Sequence, residues 1–153
     1  MNKFFSAYST PTGINLGLFL IRLIMGLLML CYGYDKLIHF NELAASDFWA
    51  KKVNFLGFYG KVPLALTVFA EFFCSILLIL GFFTRFSLVV LMFCMAYIFL
   101  VVFPGSIIDK GDNGYSISST FIYFMIYAGL FFTGPGNFSL DYKLFSSPRT
   151  TAR

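Results

Sequence analysis

Charge is scarce in this chain. Asp, Glu, Lys and Arg make up 12% of its 153 residues, against roughly 25% in an ordinary soluble domain. There is one histidine, His39, so a bis-His haem has no second ligand. The three cysteines, Cys31, Cys74 and Cys94, all lie in apolar runs, with no C-x-x-C pair. That excludes a disulfide framework and a zinc ligand set. They read instead as small buried hydrophobes. No block of basic residues occurs, so the formal charge of +4 does not point to nucleic acid. Lys and Arg sit mostly at the ends of apolar runs, where membrane-flanking charge belongs.

Apolar and aromatic residues are abundant, at 59% and 21% of the chain, with 22 Phe and nine Tyr. Mean hydropathy is +0.82. A domain this small leaves much of its surface exposed, so lipid must cover many of these side chains. The expected class is an all-α integral membrane protein.

The apolar runs predict four spans, at residues 14–38, 62–83, 84–103 and 115–133, each near the roughly 20 residues a bilayer requires. A polar N-terminus, 1–13, precedes a single membrane domain, 14–144, and a basic tail, 145–153, follows it. The first run is too long for a signal-peptide core and lacks a cleavage site, so it reads as a retained span. Short connections imply an up-down four-helix bundle with both termini on one side. Lys and Arg divide five against five between the two sides. Arg22 tips the balance toward cytoplasmic termini.

The long connection, 39–61, reads as an amphipathic segment at the membrane surface. Asn41 is the expected helix cap. Phe48, Trp49 and Val53 lie on one side, Lys51 and Lys52 on the other. Pro104-Gly105 ends the third span, and the polar stretch from Asp109 to Gly114 forms a tight turn. Its spacing does not suit a calcium loop, and no metal or haem site is expected.

Two charged residues fall inside the apolar runs. Arg22 shares a helical stripe with Gly26, Met29, Gly33 and Lys36, and glycines on a stripe allow close helix approach. Glu71 shares a face with Ser75, Leu78 and Phe82 in the second span. Counted from the run ends at about 1.5 Å per residue, Arg22 and Glu71 fall within a few ångströms of one depth. An Arg22–Glu71 ion pair is therefore expected near the bilayer centre. Tyr32, Asp35, Lys36, Tyr97 and Tyr123 fall above it on the opposite side from the termini. Facing inward, they would form a polar cup with Glu71 at its floor and the connection carrying His39 and Trp49 as its roof. Such a pair either sets helix register or handles protons, a ligand or a quinone headgroup.

These pieces resemble the DoxX family of small four-span bacterial membrane proteins, over roughly Asn15 to Leu144. The first span has Leu20-Ile21-Arg22-Leu23 and Gly26, then Tyr32-Gly33-Tyr34-Asp35-Lys36-Leu37. The second has Phe69-Ala70-Glu71-Phe72-Phe73 and Leu78-Ile79-Leu80-Gly81-Phe82-Phe83-Thr84-Arg85. Tyr123, Gly134-Pro135-Gly136 and Ser139-Leu140-Asp141 complete the pattern. Family members commonly carry a His-Gly pair where this chain has Tyr32-Gly33. They often have a His near Phe103 and an acidic residue near Ser118. The resemblance thus implies roles for Arg22, Glu71 and Lys36 without histidine chemistry. It implies an inner-membrane accessory or anchor subunit of a quinone-linked oxidoreductase or envelope-stress system. Its partners would be the bilayer, redox or envelope proteins, and further copies of itself. The chain is not expected to be a complete enzyme alone. A small-solute or proton carrier, and a structural or chaperone-like partner without chemistry, are the alternative functions.

Overall fold

The structure, a computed structural model, describes residues 11–55, 57–102, 108–111 and 114–145. The polar N-terminus up to Thr10, the Phe103-Pro104-Gly105 stop and most of the basic tail lie outside the described residues. Helix α1 runs Pro11–Ile38. After it come α2, Phe40–Ala45, and a π-helical turn, Phe48–Lys52. Helix α3 spans Lys61–Leu80 and α4 spans Thr84–Val102. A short antiparallel hairpin follows, β1 Ile108–Gly111 with β2 Gly114–Ile117. The helices α5, Ser119–Thr133, and α6, Leu140–Phe145, come next. Among the described residues, three helices, α1, α3 and α4, are long and apolar enough to cross a membrane.

Several boundaries differ from the expectation. The second span, expected over 62–83, is helical over Lys61–Leu80 and stops at the left-handed Gly81. Helix α1 begins three residues early. Residues 115–117, expected in the fourth span, instead pair with β1 through backbone bonds. The polar stretch Ser116–Thr120 gives a helix little apolar surface to bury, and strand pairing from Ile108↔Ile117 to Gly111↔Gly114 takes its place. The apolar helix that remains, α5, has 15 residues, roughly 22 Å. In the connection, Asn41 lies inside α2, and the N-cap is His39, with no side-chain cap bond.

The stripe on α1 is buried. Arg22, Met29 and Glu71 are at most 2% exposed. A Cβ added to Gly33 would stand 2.5 Å from the Phe72 backbone nitrogen, and one on Gly26 2.5 Å from Ile79. These two glycines let α1 and α3 touch backbone to side chain and backbone to backbone. The main core lies between α1, α3, α4 and α5, with Met25, Met29, Leu78, Leu88, Leu91 and Tyr127. A second cluster sits under the connection, where Trp49 and Val53 pack on Leu64, Val68 and Val102. Lys51 and Lys52 stay exposed, but Phe48, expected on the apolar side with Trp49 and Val53, is also exposed, with Lys52 Nζ 5.6 Å over its ring.

Helix α3 contains a π-helical segment, Phe69–Phe73, and Glu71 lies within it. An extra residue in a turn rotates the following face and often marks a functional position. Here it leaves Ala70 and Glu71 both buried.

Candidate functional site

The expected Arg22–Glu71 pair does not form. Arg22 donates from Nη1 to the Pro135 carbonyl oxygen at 2.6 Å and from Nη2 to that of Phe138 at 2.8 Å. Glu71 forms its ion pair with Lys36, through Nζ and Oε2. The difference lies in the vertical register of two antiparallel helices. Gly33 faces Glu71 and Phe72, Gly26 faces Ser75 and Ile79, and Arg22 faces Gly81. Arg22 is therefore about ten residues, roughly 15 Å, from the level of Glu71. Counting from the run ends takes the two helices to start level. In fact α1 overshoots α3 by about three turns, and that overhang packs on the C-terminal segment.

The Arg22 end is a network of backbone and side-chain hydrogen bonds, in which Arg22 Nε and Thr84 Oγ1 stay buried without a partner among the described residues. The Asn137 amide donates to Asn15 Oδ1 at 3.0 Å. Asp141 accepts from the backbone amides of Phe83 and Thr84, both at 2.8 Å, one per carboxylate oxygen. It thereby caps the first turn of α4, where the helix dipole favours an anion. The Asp141 amide donates in turn to the Gly81 carbonyl at 2.8 Å. Gly81 has a left-handed φ of 66°, and a Cβ there would stand 2.6 Å from Arg22 Nη1. Four separated stretches thus meet at one place: the Arg22 turn, Gly81 to Thr84, Pro135, and Phe138 to Asp141. Asp141 and the two carbonyls are the residues that sequence reasoning missed. The Ser139-Leu140-Asp141 motif was the available signal.

The other end is built differently. Lys36 borders a cavity of about 180 Å³ between the helices and the connection. Phe48, Trp49, Val53, Thr67 and Tyr97 share its wall. Glu71 stands behind Lys36, with its side chain 3% exposed. The Tyr97 hydroxyl donates to the Asn54 carbonyl oxygen, and its ring meets Phe55 edge-on at 5.6 Å. These contacts pin the connection onto α4. Trp49, 8% exposed, forms the roof.

Of the expected cup, Lys36 and Tyr97 line one cavity, and Glu71 backs it. Asp35 does not join them. It precedes Lys36 by one residue, about 100° around the helix, and its exposed carboxylate lies 3.3 Å from His39 Nδ1. His39 therefore takes no part in the roof. Tyr32 is 58% exposed on the flank of α1, within electrostatic reach of Tyr123. Tyr123 stacks on Tyr127 at 6.1 Å. Tyr127 OH and Ser75 Oγ are buried and have no hydrogen-bond partner among the described residues.

Searches of curated proteins and of solved structures returned no match. Two family matches carry the relationship. Residues 17–104 match DoxX and residues 61–150 match the TQO small subunit DoxD. Each covers more than half of the chain, and they overlap across α3 and α4. The part of helix α1 that carries Arg22 and Lys36 lies within the first match, and the Pro135–Asp141 segment within the second. The chain belongs to the DoxX/DoxD-like family of membrane proteins.

Proposed function

We propose that this protein is the membrane subunit of a quinone-linked redox system and that its Lys36–Glu71 end receives the quinone headgroup. The observation that carries this reading is an ion pair whose carboxylate, Glu71, is buried and whose partly exposed lysine, Lys36, borders a roofed cavity. The match to the TQO small subunit DoxD, a thiosulfate:quinone oxidoreductase component, supports the ligand class. The fit is chemical. Lys36 Nζ donates to a quinone carbonyl oxygen, and Glu71 holds the ammonium in place and relays a proton. Trp49, Phe48 and Tyr97 supply flat apolar walls and keep water out. The two electrons come from a partner oxidoreductase subunit, so the chain anchors and presents quinone rather than acting as a complete enzyme.

In this reading α5, lengthened by the segments that flank it, is the fourth span of an up-down bundle in the bacterial inner membrane. Both termini then face the cytoplasm, as the position of Arg22 favours. Trp49 is the only tryptophan, so it reports on its own cavity. Titrating a short-chain ubiquinone into the purified protein should quench Trp49 fluorescence saturably. Lys36→Met should abolish the saturable phase, and Glu71→Gln should lower electron transfer to quinone in native membranes. Unchanged quenching and unchanged transfer in both variants would refute the quinone assignment.

A further inference from the structure

The cavity beside Lys36 holds about 180 Å³, below the roughly 300 Å³ at which sites for whole small molecules begin. It is too small for more than a headgroup. A second cavity of about 250 Å³ lies between α3 and α4, bordered by Leu66, Phe69, Ala70, Val90, Phe93 and Cys94. Thr67 and Tyr97 line both cavities. Both residues carry hydroxyls, and both hydroxyls donate elsewhere. Thr67 Oγ1 donates back to the Pro63 carbonyl at 2.9 Å, and the Tyr97 hydroxyl donates to Asn54. What separates the two cavities is therefore a methyl group and a ring.

Resting on the quinone reading above, we infer that this second cavity is a lateral groove that seats the isoprenoid tail, so that the ligand reaches Lys36 from the bilayer and not from water. The mouth of the groove lies on the outward face, where Leu66, Phe69 and Phe93 are 47%, 44% and 61% exposed. The aqueous side is shut by Trp49 and Val53, 8% and 3% exposed. Depth selects the occupant. Glu71 lies ten residues inside α3, roughly 15 Å from its start, within a hydrocarbon core of about 30 Å. A phospholipid would have to bring its phosphate to that depth. A quinone brings a neutral carbonyl head, and its tail leaves along the groove among apolar side chains.

The test compares two probes, dimethoxy-methyl-benzoquinone without a tail and the same head with two isoprene units. Both are titrated against Trp49 fluorescence in the purified full-length chain. The wild-type protein should bind the tailed probe at least tenfold more tightly. Ala70→Leu and Val90→Phe each place bulk in the groove. Each should cut that advantage below threefold and leave the affinity for the tailless head within twofold. Monodispersity and helical content confirm folding, and the two variants act at separate helices, so loss of one does not remove the test. An undiminished tail advantage in the folded variants overturns the groove assignment while leaving headgroup binding standing. Failure of both probes to quench the wild-type protein overturns the quinone reading itself. A phospholipid that survives purification and is not displaced by the tailed probe assigns the groove to lipid and overturns the inference.

Discussion

Each end of the bundle holds a cation on the same stripe of α1, and the two are used in opposite ways. Arg22 spends its guanidinium on two backbone carbonyls, in a network whose remaining members cap helices and close turns. Lys36 meets a carboxylate and borders space. A planar fork suits two fixed carbonyls, whereas a compact ammonium can hold one carboxylate and still offer a hydrogen to something else. The difference separates a fastener from a site. A buried charge in a membrane protein invites a functional reading, but only Lys36 itself lines a cavity, whereas the cleft of about 260 Å³ at the other end is lined by Thr84, Pro135 and Asp141 and not by Arg22.

The comparison breaks most sharply at Arg22. Arg22→Met removes two charge-assisted hydrogen bonds and leaves two carbonyls facing each other without a donor. The expected cost is roughly 3 to 6 kcal/mol, read as a large drop in thermal midpoint in detergent. Arg22→Lys should recover less than half of it, because one ammonium cannot reproduce the fork. Full rescue by lysine would mean that charge alone holds this end.

Gly33 comes next. A side chain there meets the Phe72 backbone at 2.5 Å, so Gly33→Ala must push α1 from α3, costing about 1 to 3 kcal/mol and pulling Lys36 away from Glu71. Gly17, with nothing within 4 Å, is the control. Gly17→Ala should leave stability unchanged or raise it by up to about 1 kcal/mol. Equal effects at both positions, measured by the same unfolding assay, would contradict the close approach. Smaller again is Asp141→Ala. It removes the cap on α4 and should cost about 1 kcal/mol, without changing quinone affinity.

Much of this contrast is legible in the order of the residues, and part is not. Stripe membership on α1 follows from spacing alone, which is why Arg22, Gly26, Met29, Gly33 and Lys36 all turn inward together. Vertical register does not follow from spacing. It depends on where α1 overhangs α3, and no residue type in the run fixes how far one helix slides past the other. The exchange of Arg22 for Lys36 as the partner of Glu71 is a consequence of that single offset. The partners of Arg22 are invisible for another reason. Pro135 and Phe138 contribute carbonyls that every residue possesses, so no side-chain pattern announces them. The serines near residue 116 do mark the weak start of the fourth apolar run, although nothing in them announces strand pairing.

The smallest expected effect on stability is also the one that best separates the two ends. Lys36→Met alone strands the buried Glu71 carboxylate and should cost about 3 to 5 kcal/mol, whereas Glu71→Leu alone leaves the partly exposed Lys36 and should cost less. Made together, the two changes remove both charges, and a buried ion pair replaced by apolar side chains of similar size is often neutral. The double variant should then unfold within about 1 kcal/mol of the wild-type protein. No equivalent double variant exists at the Arg22 end, since its partners are backbone carbonyls that cannot be substituted away. If Lys36 and Glu71 are a fastener, restoring stability restores everything, and the double variant keeps its quinone-dependent quenching of Trp49. If they are the floor of the site, the double variant is folded and stable, and its saturable quenching is gone.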